Sequence, residues 1–352
     1  MRLITVQPSK LRIMTVIRIA KKGYGLLLDS GFAEGSAGRS LKQINGDIDY
    51  DNKCTLILGS TGVIGSQVVD KIVASVIDPD HTIDAKNCKT DLILVKRNDT
   101  FLSRSLYSLN EYNIIFEEVS RFELDLQLEH KVLVIQSRFT SKGENFSRVI
   151  NIFEVIYPHS SKWCSILQNW KDNSKDMNLP PYGSLTNIVS CLGTTKSQLK
   201  REESITKTKK LSQRDIDYIL NLSLIKAVTN SSLKIVLLTS FNSYTLGVSV
   251  PYFKNKLDLE KDVASKLEFE QLYIVRPGPY MLCESNHEIL SKCVLSDVLD
   301  YRSFMSQIIA HNFYKTQLSR FFGYCVKASD VVKTIEAAIY ASGKGISSSN
   351  IV

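Results

Sequence analysis

Three glycines occur at a spacing that serves nucleotide binding. The pattern Gly59-x-x-Gly62-x-x-Gly65 directly follows the apolar run Cys54–Leu58. In such a loop the first glycine permits a sharp turn, the second lets the backbone approach a pyrophosphate, and the third lets helix and strand pack closely. The helix N-terminus that follows favours negative charge. We therefore predict that a dinucleotide binds here, rather than that the glycines form a structural turn. The predicted contacts are Gly59, Ser60, Thr61, Gly62, Val63, Ile64 and Gly65.

Two cations follow the next apolar run, Asp91–Val95, at Lys96 and Arg97. An acid at this point would bind the ribose 2′-hydroxyl of NAD, whereas cations suit the 2′-phosphate of NADP. The pair therefore predicts NADP (NADPH) as the cofactor. The alternative is two solvated charges at the end of a strand.

A tyrosine and a lysine lie four residues apart, at Tyr252 and Lys256, and Ser240 precedes them by 12 positions. Residues four apart share one face of a helix. A reductase needs a proton donor near neutral pH, and a nearby ammonium lowers the pKa of a tyrosine from its usual value of about 10. We predict that Tyr252 exchanges the proton, that Lys256 binds ribose and tunes Tyr252, and that Ser240 holds the substrate oxygen. The same spacing also occurs by chance in ordinary surface helices.

Apolar runs that alternate with helical periodicity indicate the elements that position these residues. Such an order predicts right-handed βαβ units and a mostly parallel sheet. The predicted class is α/β, a Rossmann-type doubly wound sheet with helices on both faces. Strands are predicted at 54–58, 91–95, 187–192, 233–238 and 272–275, and helices at 63–75, 213–228, 252–266 and 329–341.

The pattern divides the chain into an N-terminal extension, 1–53, and an NADP-binding domain, 54–352, with an insertion at about 99–148 whose fold the pattern does not indicate. Residues 1–28 carry basic and apolar side chains and no acid. This composition is typical of a mitochondrial targeting segment. A frayed basic tail is the alternative.

The composition of the chain limits which ligands and binding partners are expected. The net charge of +8 admits an anionic partner, but the basic residues form no long run, so nucleic acid is not expected. The 7 cysteines form no CxxC pair and are expected as free thiols. The 5 histidines form no HxxxH or HExxH pattern, so no metal is expected. No apolar stretch reaches the length of a membrane-spanning helix.

Several motifs together resemble the atypical branch of the short-chain dehydrogenase/reductase superfamily. This branch includes the animal Tat-interacting oxidoreductase-like proteins, and the closer likeness is to the fungal "found in mitochondrial proteome" proteins of the outer membrane. The likeness covers roughly residues 54–98 and 156–342. Its motifs are Leu58–Gly65, Ser190–Thr195, Asp215–Leu222, Leu237–Ser240, Tyr252–Val263, Ile274–Pro279, Gly323–Val326 and Asp330–Val332.

The resemblance assigns further roles. It implies that Leu192 and Gly193 line the adenosine and ribose, that Asn221 helps orient Lys256, and that Pro277 lies beside the nicotinamide. It also implies an NADP-dependent oxidoreductase that acts on an unknown carbonyl or alcohol substrate. Its expected location is the mitochondrion, peripherally on the outer membrane, with the cytosol as the alternative.

A second hypothesis is a non-catalytic NADP-binding scaffold or redox sensor at the same membrane.

The chain departs from the family in its N-terminal extension and in its longer insertion. The insertion leaves the sheet order after the second strand open.

Overall fold

The fold is built on a nine-stranded sheet. The computed structural model describes residues 52–77, 87–99, 114–143, 146–173, 177–194, 199, 212–240, 250–278, 280–281, 326–341 and 343–351. The strands are β1 (Lys53–Leu58), β2 (Asn87–Lys96), β3 (Ile114–Leu124), β4 (Val132–Gly143), β5 (Phe146–Ile156), β6 (Leu185–Ser190), β7 (Lys234–Leu238), β8 (Gln271–Pro277), β9 (Tyr280–Met281), β10 (Val326–Lys327) and β11 (Gly345–Ile351). The helices are α1 (Val63–Ile77), α2 (Trp163–Asp172), α3 (Asn221–Val228), α4 (Pro251–Lys266) and α5 (Ala328–Tyr340).

The strand order is β11-β8-β7-β6-β1-β2-β5-β4-β3, and β9 pairs with β10 separately. The run β5-β2-β1-β6-β7-β8 is parallel throughout. It reproduces the Rossmann order 3-2-1-4-5-6, with β5 as the third strand. The predicted α/β class is therefore confirmed.

Helices cover both faces of the sheet, since each face buries its own apolar layer. One layer contains Trp170 of α2, Leu224 of α3 and Leu259 of α4. The other contains Val68 of α1 and Val331 of α5. Strands buried on both faces read as continuous apolar runs, which is why β1 and β7 were visible in the sequence.

The insertion extends the sheet. β4 runs antiparallel to β5, and β3 antiparallel to β4. A polar ladder crosses these strands: Asn151 donates to Asp91 at 2.7 Å, and Arg138 donates to Asn151 at 3.0 Å and to Glu117 at 3.3 Å. These four residues lie opposite one another in the strand register, so the ladder fixes the added strands to β2.

Several boundaries differ from the sequence prediction. β2 begins at Asn87, before the predicted 91, because Asn87–Thr90 pair with β5. The predicted helix 213–228 contains a π-helical turn, Asp215–Leu220, before α3. The helix α2 and the strand β11 were not predicted. No helix among the described residues has the length and apolarity needed to cross a membrane.

The extension 1–51, the central part of the insertion at 100–113, and Thr195 lie outside the described residues. The division into 1–53 and 54–352 stays a prediction.

Candidate functional site

The glycine loop forms a tight turn between β1 and α1. Gly59 has a φ of +81°, a conformation that side chains rarely adopt. The N–H of Gly62 donates to the carbonyl of Gly59 at 3.0 Å. A Cβ on Gly65 would lie 2.1 Å from that carbonyl oxygen. Gly59 therefore makes the predicted turn and Gly65 the predicted close packing of helix and strand. The approach of Gly62 to a pyrophosphate stays a prediction.

The loop fits a pyrophosphate. Its outer side, Thr61, Gly62 and Val63, is exposed, whereas Ile64 is buried in the α1 layer. The hydroxyl of Ser60 is buried without a hydrogen-bond partner in the described structure. A buried hydroxyl without a partner is costly, and a phosphate oxygen would satisfy it. The N-terminus of α1 adds a favourable field for negative charge.

The end of β6 connects this loop to the predicted catalytic residues. The N–H of Cys191 donates to the carbonyl of Leu58 at 2.9 Å. A Cβ on Gly59 would lie 2.9 Å from the Cys191 carbonyl. Cys191 and the N–H of Leu192 therefore lie against the glycine loop, at the carboxyl edge of β1 and β6. In open α/β sheets, ligands bind at this edge.

Lys256 and Asn221 meet at the same carbonyl group. The Lys256 ammonium donates to the Leu192 carbonyl at 2.9 Å, and the Asn221 amide approaches that oxygen at 3.5 Å. The Asn221 carbonyl oxygen accepts a 2.6 Å hydrogen bond from the Ser190 hydroxyl. Lys256, Asn221 and the end of β6 thus form one buried network.

Tyr252 lies one helical turn before Lys256 and is half-buried, and α4 begins with Pro251 at its first turn. Burial raises the pKa of Tyr252 to about 12, and the negative charge of Asp217 acts in the same direction. This direction is opposite to the lowering by Lys256 that the sequence predicted, because burial dominates, and Tyr252 keeps its proton at neutral pH. Ser240 is half-buried just after β7, and Pro277 is buried at the end of β8. These positions place both residues at the carboxyl edge of the sheet.

Asp217 is a further residue of this site, and the sequence analysis gave it no role. It is fully buried on the π-helical turn, and one carboxylate oxygen accepts the N–H of Thr194 at 2.7 Å. A Cβ on Gly193 would lie 3.6 Å from that oxygen and 3.2 Å from the Lys256 ammonium. The signal in the sequence was an acid four residues before Asn221, within an apolar helical pattern.

The two charges beside Gly193 depend on each other. Burial raises the pKa of Asp217 and lowers the pKa of Lys256, so the neutral form of each is favoured. The opposite charge counteracts burial in both cases. The second carboxylate oxygen of Asp217 is buried without a partner in the described part of the chain.

A second buried network holds α4 in place. The Glu260 carboxylate accepts hydrogen bonds from the Arg276 guanidinium, the shortest at 2.8 Å, and from the Thr239 hydroxyl. It therefore joins the ends of β7 and β8 to α4, one turn after Lys256. The Thr239 hydroxyl, next to Ser240 in the chain, is thereby engaged in this network.

The structure separates the predicted basic pair. Lys96 is 2% exposed and forms an ion pair with Glu154 of β5, so it is not directed to solvent. Arg97 is exposed just after β2. The assignment of Lys96 to a cofactor phosphate is therefore corrected. If the Lys96 ammonium left Glu154, the buried carboxylate would lose this ion pair, which is costly. Arg97 keeps its candidate role.

A wide groove also occurs toward the amino ends of β1 and β2, lined by the Asp91–Asn151–Arg138–Glu117 ladder. It lies away from the glycine loop and from Lys256. We therefore place the candidate site at the carboxyl edge, where the glycine loop and the buried network meet.

Comparisons with known proteins agree with the motifs. A model of the HIM1 family matches residues 152–315. HIM1 of Saccharomyces cerevisiae is 24% identical over 232 residues, which cover 54% of this chain and 54% of that protein. The protein FMP52, mitochondrial, of Eremothecium gossypii is 25% identical over 141 residues, which cover 40% of this chain and 58% of that protein.

Among solved structures, a putative D-mannonate oxidoreductase from Haemophilus influenza with bound NAD aligns at a TM-score of 0.45 and 10% identity. The alignment covers 86% of this chain and 94% of that one. Similarity at this level does not establish a shared activity, and the fold assignment rests on the strand order. The chain spans about half the length of the curated relatives it matches. The resemblance predicted from the motifs is confirmed: this chain is similar in sequence to the HIM1 and FMP52 proteins of fungi.

Proposed function

We propose that the protein binds a nicotinamide dinucleotide at the glycine loop and is an oxidoreductase acting on a carbonyl or alcohol substrate. The observation that carries the proposal is the position of Leu192. Its carbonyl accepts a hydrogen bond from the Lys256 ammonium, and the preceding residue, Cys191, packs against Gly59. The glycine loop, which would bind phosphate, and the helix that carries Tyr252 and Lys256 therefore meet at one edge of the sheet.

The residues of the chain would divide the work as follows. The glycine loop and Ser60 bind phosphate, and Gly193, exposed beside Lys256 and Asp217, contacts a ribose. Tyr252 holds the proton that a reduced substrate oxygen requires, and Ser240 orients that oxygen. Asn221 fixes the Leu192 carbonyl and thereby the position of Lys256. The bound nicotinamide would supply or accept the hydride.

NADP is the dinucleotide that we favour. Arg97 is exposed just after β2, at the position where the 2′ substituent of the adenosine ribose lies in Rossmann folds. A guanidinium is suited to phosphate, and no acid replaces it there. Lys96 has no direct part in this proposal.

The catalytic part of the proposal is tested with Tyr252→Phe, assayed as NADPH oxidation over a panel of small aldehydes and ketones. A positioned general acid contributes about 10² to 10⁴ to a rate, so we expect turnover to fall by about that factor while NADPH affinity stays within about twofold. Tyr273→Phe, at a half-buried tyrosine of β8, is the matched control and should keep its activity. Undiminished turnover in Tyr252→Phe would reject Tyr252 as the acid.

The pH dependence gives a second check on Tyr252. Its raised pKa, about 12, means that the protonated form dominates throughout the neutral range. We therefore expect the reductive rate to stay constant from about pH 6 to pH 9, once NADPH is saturating. A rate that falls with an apparent pKa near 7 would assign the proton to another group.

A non-catalytic NADP-binding scaffold is the second candidate. The observation in its favour is that Lys256 is 3% exposed and its ammonium donates to the Leu192 carbonyl, an arrangement that also suits a purely structural role. This alternative predicts NADPH binding without oxidation by any member of the carbonyl panel.

We also propose that the protein resides at the mitochondrion. The FMP52 relative carries the word mitochondrial in its name, and residues 1–28 have the composition of a targeting segment. Deleting 1–28 from a fluorescent fusion of the full chain should release it to the cytosol. Unchanged mitochondrial fluorescence would show that this segment is not the signal.

A further inference from the structure

Two histidines and a glutamate meet at the carboxyl edge of β5. Glu129 and His130 lie in the loop between β3 and β4, and His159 follows β5. The potential ligand atoms of the three side chains all lie within 4.8 Å of one another. The two imidazole rings are 5.3 Å apart between centroids, with an angle of 32° between their planes. All three side chains are exposed.

The sheet register explains this meeting. β4 and β5 are antiparallel, with Leu133 opposite Ile156 and Val134 opposite Val155. If the same register continues beyond the strands, His130 falls directly opposite His159. Side chains of such a pair have Cβ atoms about 4.5–5.5 Å apart. The contact therefore follows from the strand pairing, which spacing within the sequence does not reveal.

The backbone on the His159 side is firmly held. The N–H of Tyr157 donates to the Lys96 carbonyl at 3.0 Å, and the Trp163 indole donates to the Tyr157 carbonyl at 3.0 Å. The Tyr157 side chain is fully buried, with its ring 6.2 Å from that of His130 and 6.1 Å from that of His159. Both imidazole rings therefore lie beside one buried tyrosine ring, which lowers the free-energy cost of ordering them around a ligand.

We propose that Glu129, His130 and His159 bind a divalent transition metal, with Zn²⁺ as the ion tested. Neutral imidazole nitrogens and a carboxylate oxygen are ordinary zinc ligands, with metal–ligand bonds of about 2.0–2.2 Å. Because these ligand atoms already lie within 4.8 Å of one another, modest rotation of the exposed side chains lets them surround one ion at those bond lengths. Three protein ligands leave a fourth position for water or another ligand.

The bound metal ties the loop between β3 and β4 to the turn between β5 and α2. It therefore fastens the inserted strands to the Rossmann core at the same edge as the glycine loop. The ion would stabilise the folded chain by mass action, because the three ligands come together only when the sheet is formed.

The site is tested by titrating the full chain, first stripped with a chelator, with ZnCl₂ in a calorimeter. We expect one Zn²⁺ per chain at this site and a rise in Tm on adding zinc. His130→Ala and His159→Ala should each weaken this binding by about tenfold or more and remove the rise in Tm, and Glu129→Gln should weaken it less. Glu123→Gln removes a nearby exposed carboxylate that pairs with Lys131, and it should bind zinc like the unaltered chain.

Two results would overturn the proposal. One is the absence of zinc binding to the unaltered chain. The other is binding that persists unchanged in both histidine variants, which would place the ligands elsewhere, for example at cysteine thiols. Because all three residues are exposed, the variants should keep the Tm of the unaltered chain when chelator is present. This control separates lost binding from lost folding.

Discussion

At the residue scale, Gly65 is the most crowded of the glycines that the structure describes. Its missing Cβ would lie 2.1 Å from a backbone oxygen, which no side-chain rotation can relieve. We expect Gly65→Ala to lower the free energy of unfolding by about 3 kcal/mol and to abolish dinucleotide binding. Gly183→Ala, where a Cβ would meet no atom within 4 Å, is the matched control and should leave the Tm and binding almost unchanged. Equal behaviour of the two variants would contradict the packing argument.

Lys96 and Arg97 should respond differently to substitution, although they are neighbours. Lys96→Met leaves the buried Glu154 carboxylate unpaired, so we expect a loss of about 3–5 kcal/mol in unfolding free energy. The double variant Lys96→Met/Glu154→Leu should recover most of that loss.

Arg97→Ala should keep the Tm and weaken NADPH binding by about tenfold or more, with NADH little affected, since a hydrogen bond to a charged group contributes about 1.5–3 kcal/mol. Chemical denaturation and calorimetric titration measure the two effects separately. Equal losses for NADPH and NADH would remove the assignment of Arg97 to the 2′-phosphate.

The sequence predicted residues whose role depends on local geometry, and it missed those whose role depends on distant partners. The three glycines are recognisable because a strand, a turn and a helix follow one another within a few residues. Lys96 was misassigned because its partner, Glu154, lies 58 positions away. Asp217 was overlooked because its interaction with Thr194 and its proximity to Lys256 appear only when β6, α4 and the π-helical turn meet.

At the scale of elements, α4 depends on the ion pair between Glu260 and Arg276, whose side chains are 3% and 10% exposed. Glu260→Gln removes the negative charge that pairs with this nearly buried guanidinium. We expect a loss of about 3 kcal/mol in unfolding free energy, with weakened catalysis because Tyr252 and Lys256 lie on the same helix.

The matched control for that helix is Asp258→Asn. Asp258 pairs with Arg214 at 3.1 Å, but those side chains are 28% and 45% exposed. Exposed pairs contribute about 0–1 kcal/mol, so this variant should be nearly neutral in a denaturation experiment. A larger effect at Asp258 than at Glu260 would contradict the role assigned to the buried network.

Periodicity found the elements that bury both faces or one helical stripe, such as β1, β7 and α4. It gave no fold for the insertion, because most of β3 is exposed at the sheet edge and buries no continuous apolar run. Strand register is a property of paired segments, so the ladder from Asp91 to Glu117 and the meeting of His130 with His159 were not predictable from one segment alone.

At the scale of the whole molecule, the parallel strands direct their carboxyl ends to one edge, and this edge carries every residue of the candidate site. The glycine loop follows β1, Arg97 follows β2, Leu192 follows β6, Ser240 follows β7, and Pro277 ends β8. The strand order after β2 was left open by the sequence, but the α/β class with helices on both faces was predictable, since alternating strands and helices admit few topologies. The substrate was not, because side chains beyond these strand ends decide it.

The central claim is that the carboxyl edge binds a nicotinamide dinucleotide, and the most direct measurement is calorimetric titration of the full chain with NADPH and then NADH. We expect saturable binding of NADPH, about tenfold or more tighter than that of NADH, and loss of both in Gly65→Ala but not in Gly183→Ala. Failure of the folded, unaltered chain to bind either dinucleotide would contradict the claim and would leave the glycine loop as a purely structural turn.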